Sequence, residues 1–364
     1  MIPIYNPRIE TKSAKEALES GWISSQGPYI EKARSKLSEI LNIPYVILTN
    51  NGTSSTHMIV KALRFKHPEI KTIYAPNNIF VAVWNTILYE YEASCMKILE
   101  MDPLTLNMRT DVEYIETLEN GAAVMVVHNV GSIVNVPRLK RLRPDLIFIE
   151  DNCEGFFGKY EDMYSGTSKA SLCSSVSFFA NKTVTCGEGG AFFTHDKEIY
   201  DYINSSINHG NSKERYIGST LGYNYRITNI QAALLYDQLI QLEDIRNDKH
   251  IIFETYKTLL KKYVIVPQTE DRTVSSEWMF VCGIKNTNYK ELELYMKDNG
   301  VDIRPFFYDI NRHSHLKHIY RNPIDLVYTY IMLPSYPDLT VQQLHLICNS
   351  IINYIMKKSL LESK

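Results

Sequence analysis

Short, continuous apolar runs alternating with helical segments constrain this chain more than any other feature. Tyr45-Val46-Ile47-Leu48 is such a run. It stops at Thr49-Asn50-Asn51-Gly52-Thr53-Ser54, and a helical pattern through Met58, Ile59, Ala62 and Leu63 comes next. Further runs cover residues 72–75, 93–99, 122–127 and 146–149, separated by helical or loop segments. Strands that are apolar throughout are buried on both faces, and their alternation with helices predicts a mostly parallel sheet between two helical layers. In such sheets ligands sit beyond the carboxyl ends of the strands. That rule singles out Asn51-Gly52-Thr53, His128 and Glu150-Asp151.

The flanking segments have a different texture. Helices are expected over 11–20, closed by Gly21, and over 30–41. A long helical pattern runs over 228–249 with Ile230, Ala233, Leu234, Leu239, Leu242 and Ile245 as its apolar positions. Beyond it, 278–284 reads as a strand and 289–299 as a helix closed by Gly300, and a last helix starts near Thr340 and carries Leu344, Ile347, Ile351 and Ile355. At 364 residues the chain suits one large and one smaller domain, with the boundary expected near residue 245: a large α/β/α domain over 1–245 and a small C-terminal domain over 246–364.

Bulk properties exclude several classes. The formal net charge of −2 offers no general attraction to nucleic acid or to an anionic membrane. No apolar run approaches the roughly 20 residues that span a bilayer. The first ten residues lack a basic segment followed by an apolar stretch, so no signal peptide is expected. The six cysteines are scattered without a CxxC pair, which favours reduced thiols in a cytoplasmic protein over disulfides or a zinc site.

Four features carry chemistry. Asp151 follows the apolar run 146–149, so its carboxylate sits at the mouth of a buried strand and needs a partner. A protonated pyridine nitrogen is one fitting partner, because an Asp there keeps the ring an electron sink; a helix cap or a metal ligand is the plainer alternative. Lys182 ends Ser177-Phe178-Phe179-Ala180-Asn181-Lys182, just before Gly187-Glu188-Gly189-Gly190. A partly desolvated lysine loses its proton more readily and becomes an amine nucleophile, although a lone lysine at a strand end is more often simply a surface residue. This glycine-rich segment is no GxxxxGK[ST] phosphate loop, since its lysine precedes the glycines. Gly52-Thr53-Ser54 opens a helix after a strand, a position suited to a phosphate and equally to a plain N-cap. Phe80, after Pro76, could stack on an aromatic ring or belong to the core.

The order strand-NGT, PxxxF, EDxxE, SFFxNK, GEGG and GYNYR resembles the DegT/StrS-type nucleotide-sugar aminotransferases, from Ile4 to about Leu242 with weaker echoes beyond. The resemblance implies the pyridoxal-phosphate (PLP)-dependent aspartate-aminotransferase fold, fold type I, with a smaller α+β C-terminal domain. It implies that Lys182 holds PLP as an internal imine and then shuttles a proton, and that Asp151 pairs with the pyridine nitrogen. Glu154 would lie near the ring's phenolic oxygen, and Ser177 would bind the phosphate with Gly52, Thr53 and Ser54. Phe80 would stack on the ring. Asn224, in Gly222-Tyr223-Asn224-Tyr225-Arg226, would reach the phosphate from a neighbouring subunit, which implies a homodimer with shared active sites. Finer resemblance, in residues 21–27, Glu154, 178–183 and 304–308, points to viosamine and perosamine synthases. These set nitrogen from glutamate on a nucleotide-linked 4-keto-6-deoxyhexose.

The chain departs from that family in two places. His128-Asn129-Val130-Gly131 lacks the usual aromatic before the glycine, and Asp309-Ile310-Asn311-Arg312-His313-Ser314-His315 replaces a PLHxxP-like segment. The second departure tilts the expected product slightly toward the viosamine type. His313, His315 and His318 lack the carboxylate or cysteine that would complete a metal set, and read as a polar loop near the substrate entrance. Other classes fit less well. Sugar dehydratases of this fold carry His where Lys182 stands, a non-catalytic regulatory relative would have lost the lysine or the aspartate, and a nicotinamide enzyme would need a GxGxxG after its first strand. A C-3 ketosugar aminotransferase of the same family is the remaining alternative.

Overall fold

The computed structural model describes residues 1–212, 214, 216–319 and 328–362. Two helices come first, α1 (Lys12–Glu19) and α2 (Pro28–Leu41). The alternation begins with β1 (Tyr45–Thr49), α3 (Gly52–Lys66), β2 (Ile73–Pro76), α4 (Ala82–Glu90), β3 (Met96–Leu99), α5 (Val112–Glu116), β4 (Ala123–Val127), α6 (Val136–Leu142) and β5 (Ile147–Asp151). A small hairpin, β6 (Lys159–Tyr160) and β7 (Met163–Tyr164), precedes β8 (Ser171–Ser177) and β9 (Gly190–Thr194). Three helices follow: α7 (Lys197–Ile207), α8 (Asn229–Ile240) and α9 (Leu242–Leu260). The remainder is β10 (Thr273–Val274), β11 (Phe280–Lys285), α10 (Tyr289–Asp298), β12 (Arg304–Pro305), β13 (Tyr328–Leu333) and α11 (Val341–Glu362).

Seven strands form one sheet in the order β1-β9-β8-β5-β4-β2-β3. The pairs β2–β3, β2–β4, β4–β5 and β5–β8 are parallel, and β9 runs antiparallel between β1 and β8. The sheet is buried on both faces, as the apolar runs require. Ile47, Met125, Ile149 and Phe192 meet Met58 and Leu63 of α3 and Trp84 of α4 on one side. Val46, Leu48 and Phe193 meet Leu37 of α2 and Leu235 of α8 on the other, where Val126 and Phe148 pack on Leu139 of α6.

A second core gathers Ile252, Phe253, Tyr256 and Leu260 of α9 with β11, β13, α10 and α11 around an antiparallel sheet of order β11-β13-β12. Ile2 joins this core and bridges to Val301. A third cluster, including Ile4, Val130, Trp278, Phe306 and Met332, lies between the two.

The helical pattern over 228–249 is not one helix. It breaks at Gln241, which leaves helical geometry, and its second part runs on to Leu260. Packing changes further along: Leu235, Leu239 and Leu242 face the large sheet, whereas Ile252 and Phe253, in the later part of α9, face the second core. Thr228 and Gln231 close a capping box that fixes the start of α8. The run over 93–99 divides into a turn at Ala93–Cys95 and the strand β3.

Strand β9 enters the sheet under the start of α3, with Gly190 opposite both Thr49 and Ser177. A Cβ on Gly190 would come within 2.5 Å of Ser55 Oγ, 2.6 Å of Asn51 O and 2.8 Å of Val176 O. Two of those neighbours are backbone and cannot step aside. Gly190→Ala is therefore expected to cost about 2 kcal/mol by overpacking, read as a melting temperature lowered by a few degrees; an unchanged melting temperature would show that β1 and β8 can spread.

Candidate active site

The carboxyl ends of β1, β4, β5 and β8 open onto a cleft of about 630 Å³. Eight of the expected site residues line it: Gly52, Thr53, Ser54, Phe80, Asp151, Glu154, Ser177 and Lys182. Asn224 does not; it lies exposed on the segment after α7, bridged to Asn208.

Asp151 is the last residue of β5, paired with Val127 on one side and Ser175 on the other. Its carboxylate is buried and fixed in direction: Thr56 Oγ1–H donates to Oδ2 (3.0 Å) and the Cys153 N–H to Oδ1 (3.0 Å). Thr56 sits on α3 one turn beyond Gly52, so a single helix supplies both the start of the cleft and the partner of Asp151.

At the start of α3 the Asn51 side chain accepts from the Ser54 N–H (2.8 Å), leaving the Gly52 and Thr53 N–H groups without a partner in the helix. Gly52 packs directly on Ser177. A Cβ there would fall 2.6 Å from Ser177 Cβ and 2.7 Å from its Oγ. Only glycine lets two free N–H groups and a hydroxyl meet at the positive end of a helix, which suits a phosphate group. The residues present thus fit the phosphate end of PLP.

Lys182 is mostly buried. Its Nζ lies 3.6 Å from Glu154 Oε1 and 4.1 Å from the centre of the Trp278 ring. Glu154 is buried, and that burial raises its pKa to about 7 against the opposing charge of Lys182 and the hydrogen bond from Val130. This bond, from the Val130 N–H to Glu154 Oε2 (2.8 Å), depends on an uncommon backbone. Val130 adopts φ 50°, a left-handed conformation disfavoured for a β-branched residue, inside the segment that departs from the family pattern.

The turn is held from behind. The Val134 N–H donates to His128 Nδ1 (3.1 Å), which leaves the ring proton on Nε2, 2.8 Å from Glu150 Oε2. Glu150, wholly buried, also accepts from the Gly166 N–H (3.1 Å), Tyr160 (3.3 Å) and Ser171.

Phe80 stands at the mouth, 54% exposed, with its ring 6.2 Å from that of Phe307. The loop histidines do not converge on one point. His313 packs its ring edge against Trp84, His315 Nε2 lies 2.9 Å from Asn85 Oδ1, and His318 is exposed. Asp309 binds Asn77 instead, whose Nδ2–H donates to Oδ2 (2.6 Å).

Sequence reasoning missed three contributors. Thr56 was findable, being four residues after Gly52 and so on the same helix face. Trp278 had no local signal, because it comes from the cluster between the two cores. The Val130 N–H shows no signal of its own, since a backbone donor leaves no trace in residue type.

Comparisons with known proteins supply the family to which this cleft belongs. The family model described as the DegT/DnrJ/EryC1/StrS aminotransferase family matches residues 7–352. The GDP-perosamine synthase of Escherichia coli O157:H7 is 32% identical over 368 residues, covering 98% of this chain and 99% of that one. The GDP-perosamine synthase of Vibrio cholerae is 30% identical over 369 residues, covering 97% and 99%. Among solved structures, Helicobacter pylori PseC, an aminotransferase involved in the biosynthesis of pseudoaminic acid, superposes with a TM-score of 0.87 at 21% identity, covering 98% of this chain and 99% of that one. The chain belongs to the DegT/DnrJ/EryC1/StrS aminotransferase family and is a sugar aminotransferase with pyridoxal phosphate as its cofactor.

Proposed function

We propose that this enzyme sets an amine on C4 of a nucleotide-linked 4-keto-6-deoxyhexose, with glutamate as nitrogen donor and a perosamine-type product. The observation that carries the reading is the shared cleft: the Lys182 amine, the Asp151 carboxylate and the free N–H groups of α3 all face it. Full-length similarity to two GDP-perosamine synthases supports the perosamine type over the viosamine type, and supports C4 over C3.

Pyridoxal phosphate, when bound, supplies an electron sink through which an amine can leave one substrate and enter another. The protein's own groups do the rest. Lys182 would hold the cofactor covalently and afterwards carry a proton, with Glu154 beside it able to give or take one near neutral pH. Asp151, aimed by Thr56 and the Cys153 N–H, would pair with the pyridine nitrogen. Gly52, Thr53, Ser54 and Ser177 would hold the phosphate, and Phe80 would cover the ring. Asn224 would reach the phosphate of a second subunit. The exposed Leu221 (75%) and Tyr216 (85%) on its segment suit a surface that a partner copy covers.

The test is the absorbance spectrum of the protein with PLP, before and after glutamate, and then a panel of GDP-, dTDP- and UDP-linked 4-keto-6-deoxy sugars and one 3-keto sugar. A visible-edge band that glutamate bleaches, with amine appearing on the GDP-linked 4-keto sugar, is the expected result. Absence of the band would end the aminotransferase reading of these residues, and amination of the 3-keto sugar alone would move the reaction to C3.

Lys182→Ala should abolish turnover and leave the cofactor bound without a covalent link, seen as no mass increase after borohydride reduction. Asp151→Asn should lower kcat by several orders of magnitude while the link to Lys182 still forms; near-native turnover would remove the electron-sink role from Asp151.

Glu154 adds a prediction about stability. Its folded pKa of about 7 lies above the ordinary 4.5, so between these values the unfolded chain has given up a proton that the folded chain keeps. The stabilisation is complete below pH 4.5 and is lost as pH rises through 7. Glu154→Gln removes this dependence, so the cofactor-free variant should gain on the order of 3 kcal/mol relative to wild type between pH 4.5 and 7.5. Urea midpoints of the two proteins across that range measure it, and a constant difference would show that Glu154 is not held protonated.

A further inference from the structure

Behind the cleft, residues 275–278 form a strap that touches both neighbours of the Lys182 amine. Ser275 Oγ–H and the Ser276 N–H donate to Gly131 O (2.9 and 3.0 Å), next to the strained Val130, and Ser276 Oγ–H donates to Glu154 O (2.5 Å). Glu277 then adopts a left-handed φ of 53°. That turn sends Trp278 to the cleft wall, where its Nε1–H donates to Asn181 O (2.9 Å) and its ring faces Lys182 Nζ at 4.1 Å.

The far side of the strap is held from α9. Lys249 is buried, and its Nζ donates to Trp278 O (2.9 Å) and to Ser335 O (2.6 Å). The next residue, His250, has Nδ1 3.0 Å from Glu277 Oε1. Burial lowers the Lys249 pKa to about 7, with the Glu277 charge opposing. An amine buried among carbonyls is a costly packing element, and an apolar side chain would fill the same space at lower cost. What the amine adds is direction: it draws two carbonyls from separate segments to one point and so fixes where the strap lies.

We propose that Lys249 is a positioning residue for Lys182, acting through the strap at 275–278 to hold the Trp278 ring against the amine. The proposal rests on the reading of Lys182 as the cofactor-bearing lysine. The face of an indole ring carries negative charge density and favours the cationic form of a nitrogen placed on it. Loosening the strap withdraws that face. It leaves the cofactor attached, lowers the pH at which the chromophore loses its proton, and slows proton transfer by letting the amine rotate out of line.

The experiment uses PLP-loaded wild type, Lys249→Met, Trp278→Leu and the double variant. Borohydride reduction with peptide mapping locates the cofactor, a pH titration of the visible band gives its midpoint, and rapid mixing with glutamate gives the rate and half-saturation of the first half-reaction. Expected in Lys249→Met and in Trp278→Leu is a cofactor still on Lys182, with a midpoint lowered by about half a pH unit. The half-reaction rate should fall about tenfold or more with half-saturation within about threefold, the pattern of a lost transition-state contact. The double variant should be no worse than the poorer single one, because both act through one ring. Should Lys249→Met not fold, Lys249→Gln keeps two N–H donors on a shorter arm and should shift the midpoint in the same direction by less. A folded Lys249 variant with wild-type midpoint and rate, or additive losses in the double variant, would overturn the proposal. A wild-type cofactor found on another residue would instead overturn the reading of Lys182, and this proposal with it.

Discussion

Burial on both faces leaves the inner strands of the large sheet little room for a charged side chain except toward their ends. The consequence is visible in β5. Successive strand residues point to opposite faces, so Glu150 and Asp151 are adjacent in sequence yet serve different parts of the molecule. Asp151 turns to the cleft, where Thr56 and a backbone N–H satisfy it. Glu150 turns into the layer and is satisfied there by His128, Gly166, Tyr160 and Ser171. His128 in turn holds the next turn through the Val134 N–H, and within that turn Val130 presents its N–H to Glu154. The strained valine is therefore the visible end of a hydrogen-bonded chain that starts at a fully buried carboxylate. Breaking one member of that chain would leave the others buried and unpaired, a far larger cost than the strain at Val130.

The surroundings of Lys182 obey the same logic of limited partners. A lysine paired tightly with an ionised carboxylate would be a poor nucleophile and a poor proton carrier. Here its carboxylate neighbour is 3.6 Å away, beyond a short hydrogen bond, and is itself raised to about 7 by burial. The ring of Trp278 occupies a further direction around the amine, offering attraction to a cation without a proton acceptor.

Much of this was legible in the sequence because the informative features are local. A buried parallel strand is a run of apolar residues, and Asp151 and Gly52 are marked by where such runs end. Lys182 and the glycines after it stand within one short segment. The features that were not legible depend on distant packing. The break at Gln241 has no proline or glycine to announce it, and neither has the change of core along α9, from Leu242 on the first to Ile252 on the second. The antiparallel course of β9 is set by its neighbours β1 and β8, not by its own residues. Trp278 reaches Lys182 only once the second core has folded against the first, and Lys249 is an ordinary helix lysine until Ser335 and Trp278 are brought to it.

The position of the cleft between two cores divides its tasks. Its floor, made by Gly52, Asp151 and Ser177, belongs wholly to the large sheet and to helix α3. Two of its walls, Trp278 and Phe307, come from the cluster that joins the cores. The segment that departs most from the family pattern, after Tyr308, packs back on the first core through Ile310 and Leu316, and Asn77 bonds both Asp309 and the Ile310 N–H. A small shift of one core against the other would move these walls and leave the floor intact. Changes in those walls can thus accumulate without disturbing Gly52, Ser177 or Asp151. For the same reason the residues proposed for the cofactor are easier to read from this chain than those proposed for the sugar: the first lie at the ends of buried strands, the second where two cores meet.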